Sequence, residues 1–316
     1  MQFPRKVVVR APATTANLGP GFDVFGMALG YPYDIVSIAP ASSGITIKVN
    51  GIAKETIPAD PHKNTAGVVA EHMIKEFSLK TGLIIEIEKG ILPGVGLGSS
   101  AASAAAVAYG LNNLFNLALD YKQLIYFSAK GEVASAGSEH ADNVSAAICG
   151  GFVVIKSYAP LDVIALEAPP NLEICVAIPK VPTMPKKTEK ARAVLPKTIP
   201  LEKLKHNVGN AAAMALGFAK GDIKLIGSSM SDIIVEPARA FMIPGFQQVK
   251  EAAIKAGAYG VAISGAGPSM IAIVDSESGV APKVVKAMEN GFKSVGVDAE
   301  AFYTKPGKGV TLLEAK

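Results

Sequence analysis

Residues 93–103 read PGVGLGSSAAS, a glycine-rich segment that leads into a run of small residues. The apolar stretch Leu83–Glu88 before it predicts a strand, and the alanine-rich stretch Ser99–Leu117 after it predicts a helix. Glycines let backbone N–H groups turn toward a ligand, and the first turn of a helix adds unpaired N–H groups and a partial positive charge. The segment therefore predicts an anion-binding loop. A plain strand-to-helix connection with a serine cap is the less favoured alternative.

The sequence on both sides of this loop alternates between strand-like and helix-like stretches. Strands are predicted at Lys6–Ala11, Asp34–Ala39, Ile45–Val49, Phe152–Lys156, Leu172–Ile178, Tyr259–Ile263 and Met270–Val274. Helices are predicted after an Asn64 cap, after an Asp120 cap, and near 201–219, 246–256 and 281–293. The length of 316 residues suits two domains of roughly 150 residues each. We predict an α+β chain with domains at 1–158 and 159–316, joined by a proline-rich linker at 158–170.

The composition restricts the classes of protein to which the chain can belong. Hydrophobic residues make up 49% of it and the net charge is a mild +4. The most apolar stretch, 101–119, is interrupted by serine, glycine and asparagines, which predicts a buried helix rather than a membrane span. The chain begins MQFPRKVVVR, without the apolar core of a secretory signal, and its two cysteines form no disulfide or metal-binding pattern. We therefore expect a cytoplasmic protein.

A basic run at 180–205 is the main asymmetry of charge. It predicts either a solvated, mobile loop or a positive lip that attracts anions to a cleft. The run contains no aromatic residue for base stacking, so nucleic acid is not an expected partner.

A second unusual segment lies near the N-terminus, where residues 10–29 read RAPATTANLGPGFDVFGMAL. Pro20-Gly21 predicts a type II turn that places Asn17 and Asp23 on the same side. These side chains suit an ammonium or hydroxyl group of a polar ligand. Hydrogen bonding to the turn backbone is an equally good interpretation.

Three segments, taken in order along the chain, resemble the motifs of the GHMP kinases, which are named for galactokinase, homoserine, mevalonate and phosphomevalonate kinases. They are 10–29, 93–103 and Ile263–Met270, which reads ISGAGPSM; the first has the form found in homoserine kinases. The resemblance implies a nucleotide-binding N-terminal domain similar to domain 2 of ribosomal protein S5, and a ferredoxin-like α/β sandwich as the C-terminal domain. It also implies that the 263–270 loop supports the glycine-rich loop at 93–103, although on the residues alone a plain hairpin is the favoured explanation of its glycines.

The resemblance assigns nucleotide and metal ligands. For ATP it implies Asn64, Pro93, Gly94, Val95, Gly96, Leu97, Gly98, Ser99, Ser100, Ala101 and Ser103. For Mg²⁺ it implies Ser100 and Glu132, both hard oxygen donors. On the residues alone, Asn64 is equally well explained as a helix cap. Glu132 alone would be interpreted as a solvated helix residue.

The resemblance also assigns a substrate pocket. Mevalonate-type relatives have a catalytic aspartate seven residues before a Gly-Gly pair, but here that register before Gly150 holds Asn143. This implies that Asn143 orients the substrate hydroxyl without acting as a base, because phosphoryl transfer depends mainly on positioning and electrostatics. A base role for Asp142 stays open. His140 is implied as a further residue of the pocket.

Two arginines complete the implied pocket. Arg192 and Arg239 lie in segments that resemble carboxylate-binding motifs, a task that suits their planar guanidinium groups, and Thr188 is implied near the transferred phosphate. The expected activity is ATP-dependent phosphorylation of the hydroxyl of L-homoserine. The alternatives are a GHMP kinase for another small alcohol such as mevalonate, and a non-catalytic nucleotide-binding regulator. A homodimer is a further expectation.

Overall fold

The computed structural model describes residues 4–136, 140–182 and 187–316. The described strands, in chain order, are β1 (Val7–Asn17), β2 (Gly21–Ala41), β3 (Ile45–Gly51), β4 (Gly82–Lys89), β5 (Phe152–Tyr158), β6 (Leu161–Leu166), β7 (Leu172–Pro179), β8 (Gly260–Ile263), β9 (Met270–Asp275), β10 (Ala299–Thr304) and β11 (Thr311–Ala315). The described helices are α1 (Thr65–Glu76), α2 (Ser99–Leu114), α3 (Tyr121–Ala136), α4 (Asp142–Cys149), α5 (Lys187–Ala193), α6 (Leu201–Lys220), α7 (Ile223–Ser228), α8 (Val235–Arg239), α9 (Phe246–Ala256) and α10 (Ala281–Lys293).

The larger sheet has seven strands. Five run in the order β11-β1-β2-β4-β3, while β5 also pairs with the long strand β2, and β6 pairs with β5. Strands β3 and β4 are parallel, and the other pairings in this sheet are antiparallel. The long β2 therefore pairs with three strands, β1, β4 and β5, and joins the β5–β6 hairpin to the rest of the sheet.

Helix α2 packs against this sheet and among the helices α1, α3 and α4. Alanine dominates it, and most of its residues are buried, because only small side chains let a helix be enclosed so closely. A Cβ at Gly110 would lie 2.5 Å from the Ile38 side chain, which shows how near the helix approaches β2. The N-terminus of α2 is consequently held at a fixed place in the middle of the molecule.

The smaller sheet has four antiparallel strands in the order β10-β7-β9-β8. Helices α9 and α10 bury their apolar faces against it in a second core cluster that includes Val249, Val284 and Phe292. Helix α6 instead joins the main core, where the Phe218 ring stacks on Phe152 with centroids 3.8 Å apart. This stacking links the second half of the chain to β5 of the larger sheet.

The α+β fold is confirmed, and so is the capping of two helices. The Asn64 side chain accepts a hydrogen bond from the N–H of Ala66 at the start of α1. Asp120 and Gln123 exchange hydrogen bonds at the start of α3, so the sequence identified both helix starts.

The predicted linker at 158–170 is wrong for 161–166, which form β6 in a hairpin with β5. The division at 158/159 stays a prediction, although it would fall in the turn of that hairpin. The C-terminal strand β11, which sequence reasoning missed, also returns to the larger sheet beside β1. Both strands are short, and only alternate residues of β11 are partly buried, which left a weak sequence signal.

None of the helices in the described residues combines the length and the apolarity that would be needed to cross a membrane.

Candidate active site

The glycine-rich loop connects β4 to α2 and has the conformation of an anion-binding loop. Gly98 is the N-cap of α2 and has φ 64°, and Gly96 has φ 90°. A Cβ at Gly96 would lie 2.3 Å from the carbonyl oxygen of Ser264, and one at Gly98 would lie 1.9 Å from Oγ1 of Thr14. Larger residues are therefore excluded at both positions, and the backbone N–H groups at the start of α2 are left available to an anion.

The loop between β8 and β9 packs directly against the glycine-rich loop. Ser264 Oγ donates a hydrogen bond to the carbonyl of Gly96 at 2.7 Å and lies 2.9 Å from Thr15 Oγ1. The N–H of Ser269 donates to the carbonyl of Val95 at 3.1 Å. The segment is thus both a hairpin connection and a support for the glycine-rich loop.

A buried ion pair fixes the loop from below. Lys89 Nζ contacts the Asp34 carboxylate and also donates to the Ser99 carbonyl at 2.9 Å and to Ser103 Oγ at 3.2 Å. Asp34 also accepts hydrogen bonds from the two backbone N–H groups that follow Lys89. Burial raises the pKa of Asp34 and lowers the pKa of Lys89, while their mutual attraction opposes both shifts. The pair connects the interior of β2 and the end of β4 to the first turn of α2.

Ser100 and Glu132 lie together at the mouth of this loop. Ser100 Oγ donates to Glu132 Oε2 at 3.2 Å, and burial raises the pKa of Glu132 to about 7. A buried carboxylate of this kind is disfavoured as an anion unless a cation accompanies it. The two oxygen donors therefore fit a hard divalent cation such as Mg²⁺. Among the described residues there is no larger cluster of His, Cys, Asp and Glu that would hold a metal.

Asn64 lines the same cleft. Besides capping α1, it donates through Nδ2 to the carbonyl of Pro58 at 2.7 Å. Thr56, Ile57 and Pro58 form an adjoining wall. The amide oxygen and the amide nitrogen of Asn64 are thus both hydrogen-bonded to backbone groups. The side chain also lines the cleft.

Across the cleft, Arg192 of α5 forms an ion pair with Asp23 of β2. Its Nη2 donates to both carboxylate oxygens at 2.7 and 2.8 Å and to Nδ1 of His140 at 2.9 Å. Burial, followed by the charge of Arg192, lowers the pKa of His140. Neutral imidazole accepting from the guanidinium is consequently the favoured state. Arg192 Nε is buried and has no hydrogen-bond partner among the described residues.

Arg239, at the end of α8, lies beside Arg192 and is almost fully buried. Its Nε donates to the carbonyl of Ala191 at 3.0 Å, and its Nη1 donates to that of Gly265 at 3.2 Å. Burial, and secondarily the charge of Arg192, lowers the pKa of Arg239 to about 10. Two guanidinium groups so close together form a pocket that favours an anion.

The predicted type II turn at Pro20-Gly21 is wrong. Positive φ angles occur at Asn17 (71°), Leu18 (48°) and Gly19 (88°), whereas Gly21 does not adopt one. Gly21 is instead required by space, because a Cβ there would lie 2.1 Å from the side chain of Phe25.

Asn17 and Asp23 are nevertheless in contact, through the side chain of the one and the backbone of the other. Asn17 accepts a hydrogen bond from the N–H of Asp23 at 3.1 Å and donates to the carbonyl of Gly265 at 2.8 Å. The Asn17 side chain is therefore hydrogen-bonded to backbone groups, while the Asp23 carboxylate is paired with Arg192. Of the two interpretations offered by the sequence, hydrogen bonding to backbone describes Asn17, and a side chain available to the cleft describes Asp23.

Asn143 and Asp142 lie at the start of α4, between the phosphate loop and the arginines. Thr14 Oγ1 donates to Asn143 Oδ1 at 2.8 Å, and Asp142 Oδ1 accepts from the Asn143 backbone N–H at 2.7 Å and from Asn143 Nδ2 at 3.2 Å. Burial, and then the negative charge of Asp23, raises the pKa of Asp142 to about 6. The amide of Asn143 is thus fixed from both ends.

These groups share one cleft of about 460 Å³. The glycine-rich loop, the Ser100–Glu132 pair and Asn64 line one part of it, and Asp23, His140, Arg192 and Arg239 line another. An anion-binding loop therefore faces a paired-arginine pocket across a short distance.

Comparisons with known proteins agree with this geometry. Residues 64–151 match the family of GHMP kinases N terminal domains, and residues 214–293 match the GHMP kinases C terminal family. The chain is 47% identical to the homoserine kinase of Methanococcus maripaludis, covering 98% of this chain and 99% of the relative. This chain belongs to the GHMP kinases.

Two further relatives extend the similarity. The homoserine kinase of Halorubrum lacusprofundi is 43% identical over 98% of this chain and 99% of its own length. The crystal structure of homoserine kinase from Cytophaga hutchinsonii has a TM-score of 0.91 and 38% identity, with 99% of both chains covered. As a GHMP kinase, this chain is an ATP-dependent enzyme.

Most of the site residues that were predicted for this GHMP kinase line the cleft, Thr188 among them. The exceptions are Val95 and Ala101, whose side chains are buried in the main core. Ser103 borders the cleft, but its hydroxyl is also bound to the Lys89–Asp34 pair.

Sequence reasoning missed four cationic or aromatic residues of the cleft: Phe22, Lys63, Lys89 and Lys187. Lys187 donates to the carbonyl of Gly267, and burial, followed by the charge of Arg239, lowers its pKa to about 7. It belongs to the basic run at 180–205, of which residues 183–186 lie outside the described part of the chain. That run was the available signal, but it gave no reason to choose Lys187 over its basic neighbours.

Proposed function

We propose that this chain is a homoserine kinase. It transfers the γ-phosphoryl group of ATP to the side-chain hydroxyl of L-homoserine and gives O-phospho-L-homoserine for threonine synthesis. The observation that carries the proposal is the paired-arginine pocket, with Asp23 beside it, facing the anion-binding loop within one cleft. The full-length similarity to proteins named homoserine kinase supports the same substrate.

The nucleotide occupies the side of the cleft formed by the N-terminal half. Its phosphates bind the backbone N–H groups of 94–98 and the first turn of α2, where the helix dipole favours negative charge. The base lies toward Ile57 and Pro58, which give that end an apolar wall. The Lys89–Asp34 pair holds the loop in place beneath the phosphates.

Mg²⁺ would be held by Ser100 and Glu132 together with the nucleotide phosphates. When bound, it neutralises part of the charge on the phosphate that is transferred. Until it binds, burial keeps the pKa of Glu132 near 7, so a substantial fraction of the carboxyl is protonated at neutral pH.

The amino acid binds on the opposite side. Its carboxylate accepts hydrogen bonds from the guanidinium groups of Arg192 and Arg239, and Arg192 Nε is a donor that a ligand can use. Its ammonium group lies near Asp23 and His140. This arrangement distinguishes homoserine from mevalonate, which has a carboxylate but no ammonium group.

Asn143 orients the reacting hydroxyl toward the γ-phosphorus. Its amide is held between Thr14 and Asp142, so its orientation is fixed before the substrate arrives. A loose phosphoryl-transfer transition state places little charge on the attacking oxygen. The bond from the γ-phosphorus to ADP breaks as the new P–O bond forms, and the hydroxyl proton passes to a phosphoryl oxygen or to solvent, so the reaction proceeds without a dedicated base. Thr188 lines the cleft near the phosphate that is transferred. Asp142 serves mainly to hold Asn143.

A screen of ADP release tests the proposal. Purified enzyme with ATP and Mg²⁺ is offered L-homoserine, mevalonate, threonine and shikimate in separate reactions. We expect homoserine to give at least a hundredfold higher kcat/KM than the other alcohols. Preference for mevalonate would favour the other GHMP-kinase function, and ATP binding without turnover of any alcohol would favour a non-catalytic regulator.

Three further predictions accompany the function and stay untested: a cytoplasmic location, the absence of nucleic-acid and membrane partners, and a homodimer. Helix α6 exposes Leu201, Leu204 and Val208 along one side, which supports an additional contact there. The mass of the protein in solution, measured by light scattering, would test the dimer directly.

A further inference from the structure

The ring of Phe22 lines the cleft beside the two arginines. It precedes Asp23, the ion-pair partner of Arg192. The centre of the ring lies 5.2 Å from the guanidinium carbon of Arg192 and also 5.2 Å from that of Arg239. Both distances are within the range in which a cation is attracted to the face of an aromatic ring.

The hydrophobic cores do not explain this position. In the part of the chain that the structure describes, Phe22 belongs to neither core cluster and does not pack onto either from the side. Its neighbour Phe25, by contrast, is buried and contacts Phe152 edge-on. Phe22 is only partly buried and lines the cleft, so its ring serves the cleft rather than the core.

The two arginines carry like charges close together. Burial and, secondarily, the charge of Arg192 lower the pKa of Arg239, so the charged form of Arg239 is disfavoured. Asp23 pairs with Arg192, whereas the Arg239 donors bind the backbone carbonyls of Ala191 and Gly265. An aromatic face is negative at its centre and attracts both cations without occupying the donors that a carboxylate requires.

The backbone around the ring is held firmly. Gly21 admits no Cβ because of Phe25, Asp23 has φ 58°, and the N–H of Asp23 is bound by Asn17. The direction in which Phe22 leaves the chain is therefore set by its neighbours on both sides.

We propose that Phe22 is a positioning residue of the carboxylate site, whose ring holds the guanidinium groups of Arg192 and Arg239 together so that they bind the substrate carboxylate jointly. This inference rests on the proposed function. It gives the segment 10–29, which contains Phe22, a role in positioning Arg192 and Arg239, which lie far away in the sequence.

The test compares Phe22→Leu, which keeps an apolar side chain without a π face, with Phe22→Tyr, which keeps the face. Two cation–π contacts in a partly desolvated site predict a rise of about five- to twentyfold in the homoserine KM of Phe22→Leu. We expect the KM for ATP to stay within twofold, and Phe22→Tyr to retain the wild-type KM for homoserine. Phe241→Leu makes the same change at a highly exposed position outside the cleft and is the matched control.

A second series of variants changes the charge distribution of the ring at position 22 without changing the shape of the side chain. Phenylalanine carrying one, two or three ring fluorines is incorporated at position 22, which weakens the negative ring face with little change in size. The homoserine KM should rise stepwise with the number of fluorines, while the ATP KM and the thermal melting temperature stay constant. This series also decides the question if Phe22→Leu is poorly folded.

An unchanged homoserine KM in Phe22→Leu, or a fluorine series without a trend, would overturn the inference. Equal losses for homoserine and ATP would also overturn it, because they would indicate a general distortion of the cleft. Failure of the proposed function looks different, since the wild-type enzyme itself would then not phosphorylate homoserine.

Discussion

The two sides of the cleft are built in different ways. The side that we assign to the nucleotide is made largely from backbone in one continuous segment, 93–103, whose glycines fit against Ser264 and Thr14. The side that we assign to the amino acid is made from side chains, with Asp23, His140, Arg192 and Arg239 drawn from separate elements. A backbone site can be identified in a local sequence, whereas side chains from separate elements could be assigned to one pocket only through the resemblance to a known family. The two sides should also respond differently to mutation.

The largest effect is expected at the junction of nucleotide and metal. Glu132→Gln should lower kcat at least a hundredfold, because several kcal/mol of transition-state stabilisation depend on the metal. Without Mg²⁺ at pH 8 the variant should be at least as stable as the wild type, since it removes a buried carboxylate whose pKa is about 7. Turnover is measured across a Mg²⁺ titration, with thermal melts alongside.

Glu251→Gln, the same change on the exposed surface of α9, is the control for Glu132→Gln. Wild-type turnover and an unaltered Mg²⁺ dependence in the Glu132 variant would remove Glu132 from the metal site.

On the amino-acid side, Arg239→Leu should raise the homoserine KM by a factor of tens to about a hundred, the effect expected for a charge-assisted contact of about 2–3 kcal/mol. The ATP KM should change little. The loss of hydrogen bonds to Ala191 and Gly265 will also lower stability, so the ratio of the two KM values is the relevant measurement.

The alcohol analogue of homoserine, in which CH₂OH replaces the carboxylate, gives the matched comparison for Arg239→Leu. It should be a poor substrate whose kcat/KM is nearly the same for wild type and variant. A loss as large as that for homoserine would show that Arg239 does not bind the carboxylate.

The contact between the phosphate loop and the 263–270 loop should be sensitive to one methyl group. Gly96→Ala places a Cβ 2.3 Å from a backbone oxygen at φ 90°, and should lower stability by about 2–4 kcal/mol and weaken ATP binding. Gly44→Ala is the control, because Gly44 also has a positive φ (69°) but open space around it, and should cost only about 1–2 kcal/mol. Equal effects in the two variants would mean that the close contact between the loops is unimportant.

The smallest effect concerns Asp142 and pH. Its pKa is raised from 3.8 to about 6 in the folded protein, so the folded state holds a proton that the unfolded state releases at lower pH. Stability therefore falls as pH rises through this window, by about 1–3 kcal/mol. Asp142→Asn should lack this part of the decline and keep the part that comes from Glu132, whose pKa is also raised, while retaining activity within about tenfold.

Denaturant melts of wild type and Asp142→Asn between pH 4 and pH 7 measure the decline, and pH–rate curves of the same proteins measure the chemistry. A well-folded variant that is almost inactive and has lost its acidic limb would identify Asp142 as the base.

The sequence predicted functional residues correctly where they belong to a short continuous pattern that also sets the local backbone structure. The glycines of 93–103, the Asn64 cap and the motif residues Ser100, Asn143 and Arg239 all lie at the cleft, because each belongs to a contiguous pattern. The strands β6 and β11 were missed since they are short and partly exposed. Lys89 and Phe22 were missed because their partners, Asp34 for one and two arginines for the other, are separated from them in the sequence.

The most direct test of the account is a crystal structure with L-homoserine and a non-hydrolysable ATP analogue. The account predicts the phosphates on the backbone N–H groups of 94–100, and the substrate carboxylate within hydrogen-bond distance of Arg192 and Arg239. The homoserine hydroxyl should lie between Asn143 and the γ-phosphorus. Phosphates bound by the two arginines, or a carboxylate bound by the glycine-rich loop, would contradict the division of the cleft into a backbone side for nucleotide and a side-chain side for the amino acid.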